Sequence, residues 1–296
     1  MFLKQFVLMV GLMLQIAIVF ADTGPRVVAS FSVLGDLVTQ VGGDRITLQV
    51  LVGPDQDAHV YQPSPVDAQQ FSAAHLVVVN GLGFEGWIDR LIQASGYRGA
   101  VAVATRDIPD LFLERGRLDP HAWQNPRHVH HYVQNITKAL VAIDPSSEDY
   151  YHHNAKIFLK QLEQLDQEIK NSIAALPQDR RTVITSHDAF AYFGQAYGLN
   201  FVAPQRVNTN SEASASDVAA LIRQIRRDKI PAVFLENIND PRLLQQIARE
   251  TGVRMGGTLY SDALSLPSGD AGSYLAMMRH NLRVLVKALQ APVPEN

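Results

Sequence analysis

The stretch PSSEDYYHHNAKIFLKQLEQLDQEIKNSIAALP, residues 145–177, sets the fold of the whole chain. Within it Phe158, Leu162, Leu165, Ile169, Ser172 and Leu176 recur every three or four positions. That spacing lays one mainly apolar stripe along a single helix. Pro145 followed by Ser146, Ser147 and Glu148 is a helix-start signal, with Ser146 or Ser147 as the expected N-cap. Pro177 ends the run. About thirty residues at 1.5 Å each give a rod of roughly 45 Å. Such a rod acts as a stiff spine, unlike a flexible Gly/Ser linker.

On both sides of the spine, short valine-rich apolar runs alternate with amphipathic stretches. Before it, 27–31, 46–52, 76–80 and 101–104 read as buried strands, with helical patterns at 33–41 and 84–94. After it, 182–185, 201–203, 232–236 and 254–259 read as strands, with helical patterns at 218–227, 241–251 and 273–289. Strand–helix alternation implies parallel sheets with crossover helices. The expected fold is therefore α/β, with two lobes, each a parallel sheet flanked by helices, joined by one long rigid helix. The expected divisions are 22–144 for the first lobe, 145–177 for the linking helix and 178–296 for the second lobe.

Residues 1–21 differ in character. Lys4 is their one charge, an apolar run follows to Phe20, and Val19-Phe20-Ala21 suits a processing site. This is the pattern of a secretory signal peptide cut after Ala21. The run is marginal for a membrane span and has no basic flank after it. The 296 residues contain no cysteine, which rules out disulfides, iron–sulfur clusters, thiolate zinc sites and lipid attachment through a cysteine. The expected location is the periplasm, as a free protein and a monomer. A net charge of −3 gives no electrostatic case for a nucleic-acid partner.

There are ten histidines. His152 and His153 lie among charged residues of the spine, His128, His130 and His131 follow Pro126 at a helix start, and His75 and His280 read as structural. Three others sit in a different setting. His59 lies in a turn-rich loop after the second strand, and His121 lies between Pro120 and Pro126. His187 follows the strand at 182–185, and Asp262 follows the last strand. In open α/β sheets ligands bind at the carboxyl ends of strands. Two positions come from each half, so a site built from all four falls in the cleft between lobes. Imidazole and carboxylate suit Zn²⁺, and Mn²⁺ less tightly.

At these residues the chain resembles the metal-specific solute-binding proteins of ABC importers, the zinc/manganese group called cluster A-I. The resemblance rests on Ala58-His59-Val60-Tyr61-Gln62-Pro63 with Asp67, on Asn80-Gly81-Leu82-Gly83-Phe84-Glu85, and on Asp119-Pro120-His121-Ala122-Trp123. It continues through Ser186-His187-Asp188-Ala189-Phe190-Ala191-Tyr192-Phe193, Phe234-Leu235-Glu236 and Tyr260-Ser261-Asp262-Ala263-Leu264. It implies two α/β lobes on a rigid helix, with His59, His121, His187 and Asp262 as ligands of a captured ion. It further implies an ABC permease in the inner membrane as partner, and it allows a periplasmic metallochaperone. Manganese-type members tend to place glutamate at the third ligand position, where this chain has His187. That favours Zn²⁺, with Mn²⁺ as the alternative.

Two departures from the family pattern stand out. Residues 99–118 contain no histidine, so no zinc-gathering loop is expected there. Asn125 stands where the family often has aspartate, and as a support for His121 a neutral amide would act more weakly. The competing class is a zinc-dependent hydrolase, with Asp188 or Glu236 as a possible base. No His-Glu-x-x-His run exists, and four protein ligands would close a tetrahedral shell, so no enzyme activity is expected. Metal binding is expected to weaken as pH falls through the histidine range, near 6.5.

Overall fold

The computed structural model describes residues 24–113, 116–205, 209 and 213–291. The expected signal peptide at 1–21 lies outside these residues.

The first sheet holds β1 (Arg26–Phe31), β2 (Thr47–Val52), β3 (Leu76–Val79) and β4 (Ala100–Val103) in the order β2-β1-β3-β4, all parallel. The central strands are the apolar ones. β3 is Leu-Val-Val-Val with every residue buried, and five of the six residues of β1 are buried. Helices cover both faces of such a strand, so it shows no polar alternation. Edge strand β2 alternates over its first four residues instead.

Helix α1 (Ser32–Gly42) follows β1. Helix α2 (Pro65–Ser72) begins with a capping box in which Ser64 and Asp67 satisfy each other's backbone N–H groups. The helix expected at 84–94 begins later, as α3 (Ile88–Ser95). Residues 81–86 form a turn, held by the Glu85 carboxylate and by the Phe84 N–H donating to Gly81 O. Gly81 has φ +90°, and a Cβ there would lie 2.5 Å from Val103.

A two-stranded antiparallel hairpin, β5 (Phe112–Leu113) and β6 (Arg117–Leu118), precedes α4 (Pro126–Ile143). The spine is α5 (Glu148–Ala174), 27 residues and roughly 40 Å long. Tyr151, Ala155, Phe158, Leu162, Leu165, Ile169 and Ile173 form its buried stripe. Ile173 takes the place expected of Ser172. Ser147 occupies the N-cap position of α5, one of the two expected, with no side-chain hydrogen bond to the helix; residues 145–147 form a 3₁₀ turn and Ser146 Oγ donates to Asp144.

The second sheet holds β7 (Thr182–Ile184), β8 (Asn200–Val202), β9 (Ala232–Glu236) and β10 (Arg254–Leu259) in the order β10-β9-β7-β8, again parallel. Its helices are α6 (Ala191–Tyr197), α7 (Ala215–Asp228), α8 (Arg242–Thr251) and α9 (Tyr274–Gln290). The spine packs against α1 and α4 on one side and against α6 and α9 on the other. One continuous apolar core runs from β1 and β3 through α5 to α9. A smaller cluster sits under α7 and α8. No described helix is long and apolar enough to cross a membrane.

Candidate metal centre

The four residues singled out from the sequence come together. One ligand atom from each of His59, His121, His187 and Asp262 lies within 4.8 Å of the others, and all four residues are buried. Asp262 Oδ2 is 3.2 Å from Nε2 of both His59 and His187, and Asp262 Oδ1 is 3.6 Å from His121 Nε2. His59 Nε2 is 3.2 Å from His121 Nε2. Donors around a tetrahedral ion with bonds of ~2.0–2.1 Å lie about 3.3 Å apart. Among the described residues this is the one cluster of three or more such side chains able to share an ion.

Each of the four side chains is positioned from the backbone upward. His59 sits on the loop leaving β2. The Trp87 indole donates to Ala58 O at 2.8 Å, and the His59 N–H donates to Asp57 Oδ1 at 2.8 Å. Further along, Tyr61 OH donates to Asp67 Oδ2, tying the loop to the capping box of α2. The ring of Phe84 packs edge-on against His59.

His121 follows Asp119 and Pro120. Asp119 Oδ1 accepts from the His121 N–H at 2.9 Å and lies 2.7 Å from its ring Nδ1. This turns Nε2 toward the cluster. Behind it, Asn80 donates to Pro120 O, and the buried Glu85 accepts from Ser30 Oγ, the Asn80 N–H and the Gly81 N–H. That explains why the Asn80–Glu85 motif accompanies the site: its polar ends brace the turn before His121, and its Phe84 ring packs edge-on against His59 and His121. Burial holds the Glu85 carboxyl above its ordinary pKa, against these donors.

His187 lies beyond the end of β7. Glu236, the last residue of β9, accepts from the backbone N–H of Ser186 at 2.6 Å and of His187 at 2.9 Å through Oε1. Its Oε2 lies 2.7 Å from His187 Nδ1, in ion-pair contact but off the ideal hydrogen-bond line. Asp262 follows β10 by way of Tyr260 and Ser261.

One expectation is corrected. Asn125 does not support His121; its Oδ1 accepts from the Arg127 N–H at 3.0 Å and caps α4. Asp119 holds His121 instead. The Asp-Pro-His spacing was the signal that could have found it, because a carboxylate two residues before a histidine can reach both its N–H and its ring. Glu236, weighed from the sequence both as a base and as a support of the site, engages the backbone and ring of His187.

The other histidines lie elsewhere. His75 Nδ1 accepts from the Arg26 N–H, His280 Nε2 is 3.0 Å from Thr258 O, and His128 packs edge-on against Tyr192. His152 lies 3.8 Å from Glu148 on the exposed face of the spine.

The electrostatics match a cation site. Burial opposes protonation of His121, but the Asp262 and Asp119 charges outweigh it and push the ring up to about 9. His187 is likewise raised well above its ordinary value by Glu236 and Asp262 against burial. Burial would raise Asp262, yet His121 and His187 hold it well below the usual carboxylate range. His59 is lowered, first by burial and then by repulsion from the other two rings, despite the neighbouring Asp262. Its Nδ1 is buried without a hydrogen-bond partner among the described residues.

The family model described as zinc-uptake complex component A periplasmic, ZnuA, matches residues 27–288. The chain belongs to this family. As a ZnuA-family member it is a metal-specific solute-binding protein of the ABC-importer type, as its motifs imply. It is 33% identical over 267 residues to the manganese-binding lipoprotein MntA of Halalkalibacterium halodurans, covering 90% of this chain and 89% of that protein. It is 31% identical over 274 residues to the metal ABC transporter substrate-binding lipoprotein FimA of Streptococcus parasanguinis, covering 89% of each.

Among solved structures, the periplasmic zinc binding protein TroA of Treponema pallidum matches with a TM-score of 0.86 at 30% identity, covering 90% of this chain and 99% of that one. The Mn-bound periplasmic metal binding protein of Candidatus Liberibacter asiaticus matches with a TM-score of 0.82 at 30% identity, with the same coverage. The fold expected from the sequence, two parallel α/β lobes joined by one long helix, is the observed one.

Proposed function

We propose that the protein captures one Zn²⁺ ion in the periplasm with His59, His121, His187 and Asp262 and delivers it to the permease of an ABC importer. The observation that carries this reading is the convergence of three imidazole nitrogens and one carboxylate in a buried pocket between the sheets. Three neutral nitrogens and one carboxylate favour Zn²⁺ over Mn²⁺ on ligand softness and the Irving–Williams order. Four protein donors close a tetrahedral shell and leave no position for an activated water, which suits capture over hydrolysis. The chain has no cysteine for lipid attachment, which supports a protein free in the periplasm, whereas MntA and FimA are named as lipoproteins.

Manganese is the second reading, and the comparisons favour it specifically. MntA is named for manganese, and the Liberibacter neighbour is Mn-bound. The experiment is metal analysis of the purified protein, followed by zinc–manganese competition on wild type and His187→Glu. The zinc reading expects a strong zinc preference in wild type that narrows in the variant. Tight manganese binding with little zinc preference in the wild type overturns it in favour of manganese.

A further inference from the structure

One backbone carbonyl joins two of the ligand segments. Ser261 O accepts a hydrogen bond from Trp123 Nε1 at 2.9 Å and another from Gln124 Nε2 at 2.7 Å. Ser261 immediately precedes Asp262, while Trp123 and Gln124 follow His121 by two and three positions. Both donor residues and Ser261 are fully buried. In the reverse direction, Tyr274 OH at the start of α9 donates to Trp123 O at 2.8 Å. The turn carrying His121 is thus tied twice to the carbonyl before Asp262 and once to the start of α9, although 141 positions separate His121 from Asp262. Asp262 Oδ1 and His121 Nε2 stand 3.6 Å apart, wider than the 3.2 Å that separates Asp262 Oδ2 from the other two rings. Drawing Asp262 away from His121 has to stretch this tie.

Gln124 is a poor choice for packing alone. Its Oε1 is buried without a hydrogen-bond partner among the described residues, so the side chain bears the desolvation cost of that oxygen. An apolar side chain of similar volume would fill the same space without it. The half of the amide that is used is the N–H aimed at Ser261 O. Residues that keep a local cost of this kind cluster at functional positions.

We propose that Gln124 is a positioning residue for the bound ion: with Trp123 it pins the Ser261 carbonyl, holds Asp262 against His121, and so slows release of the metal. The inference rests on the metal-capture reading above. It assigns Gln124 no contact with the ion.

The test uses the full chain loaded with Zn²⁺, and in parallel with Mn²⁺, with release followed by stopped flow after addition of excess chelator. Gln124→Met keeps the length of the side chain and removes the donor; Gln124→Leu is the second variant. One hydrogen bond corresponds to about two- to tenfold in rate. Release is expected to be faster by about that factor in both variants, while the melting temperature of the metal-free protein stays unchanged or rises. Release at the wild-type rate overturns the proposal. Faster release together with a lower melting temperature in both variants also overturns it, because Gln124 would then be a structural residue. A wild-type protein that holds neither ion overturns the metal-capture reading itself, a result distinct from either.

Discussion

Glu236 holds His187 at two levels: one carboxylate oxygen accepts the His187 backbone N–H at 2.9 Å, and the other lies 2.7 Å from the ring Nδ1. The contact joins the end of β9 to the turn after β7, neighbouring strands of one sheet. It fixes the ring so that Nε2 faces Asp262. Asp119 does the same for His121 from within its own turn.

Carboxylates that orient metal-binding histidines contribute roughly 10–100-fold in affinity. Glu236→Gln and Asp119→Asn are each expected to weaken zinc binding by about that range while the chain still folds. Competition against a chromophoric chelator measures it. An affinity equal to wild type in either variant would show that the corresponding contact does not tune the site.

Asn125→Asp is the matching control. Asn125 caps α4, and aspartate caps a helix equally well. Zinc affinity is expected to stay within about twofold of wild type. A clear gain in affinity in the same chelator assay would restore Asn125 as a support for His121.

The pH dependence differs from that of free histidine. In the metal-free protein the carboxylates raise His121 to about 9 and His187 well above its ordinary value, so both rings carry a proton at neutral pH. His59 is lowered and is already neutral there. A metal must displace these protons, so affinity falls as pH decreases below the range in which the two rings lose them. The fall is roughly tenfold per displaced proton per pH unit. About two protons should be released per ion bound between pH 7 and 8. Calorimetric titration in buffers of different ionisation enthalpy counts them, and a count of zero contradicts this account.

The spine should unite the lobes energetically. Leu162 is fully buried on α5, in the apolar core that continues from β1 to α9. Leu162→Ala is expected to cost about 2–5 kcal/mol. Guanidinium unfolding of this variant should remain one transition whether followed by the fluorescence of Trp87 and Trp123 or by far-UV circular dichroism. Two separated transitions would mean that the lobes unfold independently.

Much of this was legible in the sequence because it is local. The stripe from Phe158 to Leu176 needs only helical periodicity, and the apolar run at 76–79 needs only the composition of a doubly covered strand. Boundaries were less legible where side chains compete with the helix. Ser146 bonds to Asp144 instead of capping α5, and the engagement of Glu85 with the 80–81 turn delays α3 to Ile88.

The sequence by itself determined the two parallel α/β halves, the rod between them, the absence of thiolate ligands and, through motif resemblance, the four residues of the candidate site. Only the tertiary structure decided that Glu236 orients the His187 ring and that Trp123 and Gln124 share the carbonyl before Asp262. The physical reason is that periodicity and capping depend on residues a few positions apart. Partners 49 or 137 positions apart meet only through sheet register and the packing of both lobes on one core.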